Sequence, residues 1–316
     1  MHTRYSKGFI AATSAAILFI SAIFTACGSG STADGADRNN TGAPNLSELA
    51  NATYEGVFDE PVTLTNGHWE GAPFVEGGAS RPSAGLVDDF VLSGDLDGDG
   101  RDDAAVLLWE SSGGSGTRSY LAAVGRVDGA VTNLATSLVG DRVQVKYGSI
   151  SDGRITLDLI ETGPGDAACC PTRKTLSEWS LIDGALARTA TRETGTLSLE
   201  DLHGPEWFLA QIGRDIRVPD DSGAAIVFDA GRVTGNGGCN GFFGTVTGEA
   251  PGELRFSAMG TTMMACPEPV MDLERQYLRT LAAGSSYSFV AGRLVLRCRT
   301  EDGVVSMVFK RDDTAK

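Results

Sequence analysis

The segment RLVLRCRTEDGVVSMVFK, residues 293–310, leaves the chain little choice of fold. Leu294, Leu296 and Cys298 alternate with other residues before Asp302-Gly303, and Val305, Met307 and Phe309 alternate after it. A period of two puts each set on one face of a strand, whereas a helix would scatter it around its circumference. The Asp-Gly pair supplies the turn, so the segment predicts a β-hairpin with those six residues facing a core.

The same period recurs upstream. RVQVKY, residues 142–147, sets Val143, Val145 and Tyr147 against Arg142, Gln144 and Lys146, and RITLDLIE, AAVLLW and LAAVGRV read as strands between Gly and Asp turns. Helical spacing is confined to a short piece in NLSELANATYEG and to PEPVMDLERQYLRTLAAG. In the latter, Pro267 and Pro269 suit a first turn and Val270, Leu273, Tyr277, Leu278 and Leu281 form an apolar stripe. Asp272 and Glu274 fall early and Arg275 and Arg279 late, as the helix dipole prefers. With 316 residues, 41% of them hydrophobic, there is material for two cores. The expected class is mainly β (α+β): a β-rich domain over 47–187, a linker over 188–199 (its sequence rich in Thr, Arg and Ala), and a second β-rich domain over 200–312.

Residues 1–26 place Arg4 and Lys7 before the apolar run GFIAATSAAILFISAIF, the layout of an export signal. FTAC resembles the lipobox of bacterial lipoproteins, which implies cleavage before Cys27 and lipidation of its thiol; Phe24 stands where Leu is usual. The alternative is an uncleaved membrane anchor, since residues 8–26 are long enough to span a bilayer. The polar tract from Cys27 to residue 46 reads as a flexible tether. The expected location is the cell envelope, held to a membrane by the N-terminal lipid. Gly28 is no retention aspartate, which favours the outer membrane, facing the periplasm, in a host that has one. The formal charge of −15 excludes nucleic acid as a partner and leaves an envelope protein or a small ligand.

GNGGCNGFFG, residues 235–244, packs five glycines around one cysteine. As a phosphate loop it lacks a Lys and a following helix. The SSGGSGTR tract at 111–118 fails in the same way. As a zinc site it lacks the close Cys or His spacing that zinc requires. The remaining reading is a turn pinned by a disulfide from Cys239 to Cys266, in keeping with export to an oxidising compartment. Cys298 reads as a buried thiol from its inward position. Adjacent Cys169 and Cys170 leave three alternatives open: a vicinal disulfide, a soft-metal site, or separate pairings.

Trp207, GNGGCNGFFG, MGTTMMACPEP, ERQYLRTL, YSFVAGRLVLR and VVSMVFKRD, in that order, resemble the META domain of heat-inducible bacterial envelope lipoproteins over about residues 200–312. The family signature falls on Gly238, Cys239 and Asn240 and on Thr262, Met264, Ala265 and Cys266. The resemblance implies a compact, mostly antiparallel fold with one helix and a role connected with envelope stress. It implies no reaction.

GDLDGDGRDDAAVLLW places Asp95, Asp97, Asp99 and Asp103 at positions 1, 3, 5 and 9 of a calcium-type loop, with the Arg101 carbonyl at position 7. Val106 replaces the twelfth-position Glu of an EF-hand, so the loop resembles the shorter strand-flanked loops of integrin-type repeats. A structural Ca2+ is the expectation, against a plain acidic turn. No Ser-His-Asp set, GxSxG or HExxH motif, or Cys/His pair is evident, and His68 and His203 read as strand and turn residues. The functional expectation is a non-enzymatic, lipid-anchored envelope protein with no catalytic residues. Its alternatives are a hydrolase with a carboxylate site between the domains, or an inhibitor of a protease or hydrolase.

Overall fold

The computed structural model describes residues 42–311, apart from Ser115 and the side chains of Asp88 and Asp89. The expected signal peptide, Cys27 and the tether as far as residue 41 lie outside the described residues. A capping box closes the start of helix α1 (Leu46–Leu49): Asn45 accepts from the Glu48 amide, and Glu48 accepts in return from the Asn45 amide. A small ribbon of β1 (Thr53–Tyr54) and β2 (Val62–Thr63) follows.

Two antiparallel meanders come next. The first runs in order through β3 (His68–Glu70), β4 (Ser83–Gly94), β5 (Asp103–Ser111), β6 (Arg118–Val127) and β7 (Ala130–Asp141). The second comprises β8 (Gln144–Ser151), β9 (Arg154–Glu161), β10 (Arg173–Ile182) and β11 (Ala185–Thr196). AAVLLW and LAAVGRV lie in β5 and β6, and their apolar runs are explained by burial on both faces. On one side Ala104, Val106, Leu108, Ala122 and Val124 meet Leu49, Tyr54, Val57, Val62 and Leu64 of the N-terminal segment. On the other, Ala105, Leu107, Leu121 and Ala123 meet Ile155, Leu157, Leu159 and Trp179 of the second sheet. The result is a layered structure with the first sheet in the middle.

The remaining strands are β12 (Trp207–Ile212), β13 (Ile216–Arg217), β14 (Ala225–Asp229), β15 (Arg232–Asn236), β16 (Gly241–Thr247), β17 (Arg255–Phe256) and β18 (Gly260–Thr261). Helix α2 (Glu268–Ala282) precedes β19 (Gly284–Val290), β20 (Arg293–Thr300) and β21 (Gly303–Arg311). The main path of this antiparallel sheet is β17-β16-β15-β14-β12-β21-β20-β19. Its two ends meet, since Glu253 and Ser286 form an antiparallel bridge and the Tyr287 amide donates to the Gly252 carbonyl at 2.8 Å. The C-terminal region is thus a nearly closed antiparallel sheet, and α2 contributes Tyr277 and Leu281 to its core. The hairpin read from sequence is β20–β21: Leu294 pairs with Phe309, Leu296 with Met307 and Cys298 with Val305, and the first five of these residues named, from Leu294 through Cys298 with Phe309 and Met307, are fully buried.

The stretch 188–199, expected as a linker, is structured. Its first nine residues complete β11, paired along β10, and Leu199 opens a 3-10 turn over Leu199–Leu202. The described residues all belong to one compact unit. Two devices join its halves. Ile160 of β9 is buried in the core of the C-terminal sheet, and the Gly292 amide donates to the Val145 carbonyl at 2.9 Å. Beside them, Lys146 and Lys174 both donate to Asp201 Oδ1 at 2.9 Å, while Asp201 Oδ2 accepts from the Ser198 amide. Lys146 reaches Asp201 because β8 is bulged: Val145 pairs with Leu159 and Tyr147 with Asp158, leaving Lys146 as the extra residue. The same bulge takes Tyr147 out of the inward row predicted by strict alternation and leaves it 39% exposed.

Burial raises the proton affinity of the Asp201 carboxyl, but the hydrogen bonds from Lys146 and Lys174 outweigh it and hold the group below its usual range. Asp201→Asn should therefore lower the unfolding free energy near neutral pH by about 3 kcal/mol, measured by urea titration, because two lysines lose a shared buried counter-charge. A depressed carboxyl contributes fully above its unfolded value of roughly 3.9 and progressively less as pH falls through its folded value. Wild-type protein should lose stability below about pH 4 through this group, and Asp201→Asn should lose less over the same span.

Candidate functional site

The glycine-rich turn between β15 and β16 is built around a buried carboxylate. Glu274, on the inner face of α2, accepts at Oε2 from the amides of Cys239 at 3.3 Å and Asn240 at 2.5 Å, and at Oε1 from Asn240 Nδ2 at 2.9 Å. Gly237 passes so close that a β-carbon there would sit 2.6 Å from Glu274 Cγ, and Gly238 has φ +108°, a conformation that side-chain-bearing residues rarely adopt. The two glycines thus serve the approach of the helix and the bend of the chain.

Asn240 carries the connection onward. Its Oδ1 accepts from the Met264 amide at 2.6 Å and from Thr262 Oγ1 at 3.0 Å, and its Nδ2 also donates to the Met264 carbonyl at 3.3 Å. Thr262 closes the circuit, donating its amide to the Gly241 carbonyl and accepting the Gly241 amide at Oγ1. A disulfide joins Cys239 to Cys266, with 6.1 Å between their α-carbons. Gly238, Cys239, Asn240, Thr262, Met264 and Cys266 are therefore gathered into one knot, and Ala265 lies in the exposed segment between its last two members.

Glu274 is the member that sequence reasoning does not assign to the knot. Sequence places it only as early in the helix, where the dipole prefers an acid, and it is in fact buried, 7% exposed. The available signal was positional, because Glu274 follows Val270 by four residues and precedes Tyr277 by three, in the middle of the inward stripe. Beside the knot, three large apolar side chains are exposed. Phe243 is 60% exposed, Met263 97% and Met264 57%, and the Phe243 ring covers Gly260 along a groove of about 400 Å³.

The aspartate loop joins β4 to β5. Asp95, Asp97 and Asp99 each place a carboxylate oxygen within 4.8 Å of the others. Asp95 accepts from the amides of Gly98 and Gly100, Asp97 from that of Asp99, and Asp99 from the Arg101 amide and guanidinium. Hydrogen bonds from Arg101 hold the Asp99 carboxyl below its usual range. Asp103 is not in the group: it is 3% exposed, accepts from the Leu96 amide at 3.0 Å, and burial raises its carboxyl. Arg101 presents its side chain to Asp99, a contact that a reading of its carbonyl as ligand does not anticipate.

At the junction of the two halves, Asp158 lies 3.7 Å from Lys146, and burial raises its carboxyl while that of Asp201 is lowered. Oppositely shifted carboxyls are a pattern of acid–base sites. Here Asp201 has both oxygens engaged by lysines and a backbone amide, which suits a structural tie. Cys298 is free and fully buried, with its thiol pushed up to about 12 by burial. Cys169 and Cys170 form a disulfide with each other.

Removing the Cys239–Cys266 bond by changing both residues to Ala should cost up to ~3.5 kcal/mol, the chain-entropy value for a loop of this size, read from the denaturation midpoint in oxidising buffer. Glu274→Gln should cost about 2 kcal/mol with the disulfide intact, because the new amide must turn a donor toward amides that need an acceptor.

Residues 200–313 match the family model described as META domain. No curated protein matches. Among solved structures, the chain is similar to an NMR structure of a protein from Burkholderia xenovorans, with 22% identity and a TM-score of 0.30, covering 36% of this chain and 86% of that one. It is also similar to a second protein structure solved by NMR, with 23% identity and a TM-score of 0.32, covering 38% of this chain and 99% of that one. The segment that carries the glycine–cysteine knot, residues 200–313, is a META domain.

Proposed function

We propose that this is a non-enzymatic envelope lipoprotein, anchored through Cys27, whose META domain binds a partner through the apolar surface around Phe243, Met263 and Met264. The observation that carries this reading is the division of labour at the signature. The polar groups of Asn240, Thr262 and Glu274 are spent on one another and on backbone, which makes them scaffold, while large apolar side chains beside them face water. Apolar side chains clustered on a surface mark contact sites. A connection with envelope stress belongs to the same proposal and rests on family likeness alone.

The aspartate loop is proposed to take one structural Ca2+ through Asp95, Asp97 and Asp99. The converging oxygens suit a hard, oxygen-seeking cation, and Arg101 supplies the neutralising charge that the ion would take over at Asp99.

Two measurements test these readings. Phe243→Ser with Met263→Ser should abolish crosslinking to native envelope components while leaving the melting temperature within about 2 °C, as expected of exposed sites; unchanged crosslinking would remove the surface from consideration. Millimolar calcium should raise the melting temperature of wild-type protein, and Asp97→Ala with Asp99→Ala should erase the gain. A wild-type protein indifferent to calcium would leave the loop an acidic turn.

A further inference from the structure

The loop between β9 and β10, residues 162–172, presents Cys169 and Cys170 side by side, both exposed to solvent and joined by a disulfide. Contacts other than that bond also hold the loop. Asp166 Oδ2 accepts the amides of Gly163 and Thr172, each at 2.8 Å, and Asp166 Oδ1 accepts the Thr172 hydroxyl at 2.9 Å. The Cys170 amide donates to the Ala167 carbonyl at 2.9 Å, and Pro171 is buried. The two sulfurs therefore sit on a platform held by carboxylate and backbone contacts.

The other disulfide is less accessible, with one enclosed sulfur and a partner, Cys266, that is only partly exposed. Cys239 is 4% exposed, its Sγ lies 3.7 Å from the Met264 carbonyl, and its backbone is tied to Glu274. Thiol–disulfide exchange requires in-line approach of a thiolate to sulfur, so access separates labile bonds from structural ones.

We infer that Cys169 and Cys170 form an addressable dithiol–disulfide site, opened by an external dithiol while Cys239–Cys266 stays closed, and able in its open form to hold one thiophilic centre. In the opening step a thiolate of the dithiol attacks one cysteine sulfur. A mixed disulfide forms, the Cys169–Cys170 bond breaks, and the departing cysteine sulfur takes a proton. The second thiol of the reagent then displaces the remaining cysteine, so the reagent leaves as its own disulfide and the protein gains two electrons and two protons. Two thiolates on neighbouring residues are soft ligands that reach a single soft acceptor together. With phenylarsine oxide, both protein S–H groups are replaced by S–As bonds, and the arsenic-bound oxygen leaves as water.

Purified protein with both disulfides formed is titrated with dithiothreitol, followed by alkylation and peptide mapping. Cys169 and Cys170 should be labelled at a dithiothreitol concentration at least about tenfold lower than that needed for Cys239 and Cys266. After that partial reduction and anaerobic removal of the dithiothreitol, phenylarsine oxide should give one phenylarsine adduct per chain by intact mass, displaced when excess dithiothreitol is added back. Cys170→Ser should lose the adduct and keep the wild-type melting temperature, since Asp166 still holds the loop. Simultaneous opening of the two disulfides would overturn the selectivity, and failure of the opened wild-type pair to take the arsenical would overturn the site. Buried Cys298 serves as internal control, staying unlabelled throughout.

Discussion

The C-terminal half of this protein depends on one carboxylate carried into its interior. Glu274 reaches from α2 to the turn between β15 and β16 and offers its two oxygens to the backbone and side-chain N–H groups of Cys239 and Asn240. A buried carboxylate needs such donors, because an unpaired charge in a core costs far more than a neutral group. The tight turn needs the carboxylate in return, since its amides point inward where water does not reach. Helix, turn and the segment carrying Thr262 and Cys266 are thereby settled together. The disulfide fastens what hydrogen bonds have already placed.

A second charged contact does comparable service between the halves. Asp201 stands in the turn that opens the META domain, and Lys146 and Lys174 come to it from two strands of the preceding sheet. Neither lysine is conspicuous in sequence; Lys146 falls on the polar row of an amphipathic strand. Both become part of an interface because the C-terminal sheet packs there, with Ile160 buried beside them. The polar face of an antiparallel sheet thus serves as a docking surface, with the charges kept in register by a bulge.

Local periodicity made much of the architecture legible. Strict alternation on either side of Asp302-Gly303 determines both strands of the terminal hairpin, and the 3.6-residue stripe from Val270 to Leu281 determines the helix. The Cys239–Cys266 link was readable from compartment and glycine content, and the convergence of Asp95, Asp97 and Asp99 from their two-residue spacing. What escaped was non-local. Tyr147 leaves its predicted row because a single extra residue, Lys146, shifts the register, and no local signal announces a bulge. The stretch 188–199 has a linker's composition, and residues 188–196 of it become strand because β10 offers them a partner.

Taken alone, the amino-acid order determined the terminal hairpin, several strands of the first two sheets, where the long helix lies, and which cysteines and carboxylates sit close along the chain, because these follow from side-chain period and short-range geometry. Tertiary structure alone decided that Glu274 turns inward, that Asp103 leaves its neighbours to cap a backbone amide, and that Cys169 and Cys170 stand in solvent while Cys239 is enclosed. Each of those outcomes is set by what arrives from a distant part of the chain to cover, satisfy or expose a group, and burial is a property of the assembled layers.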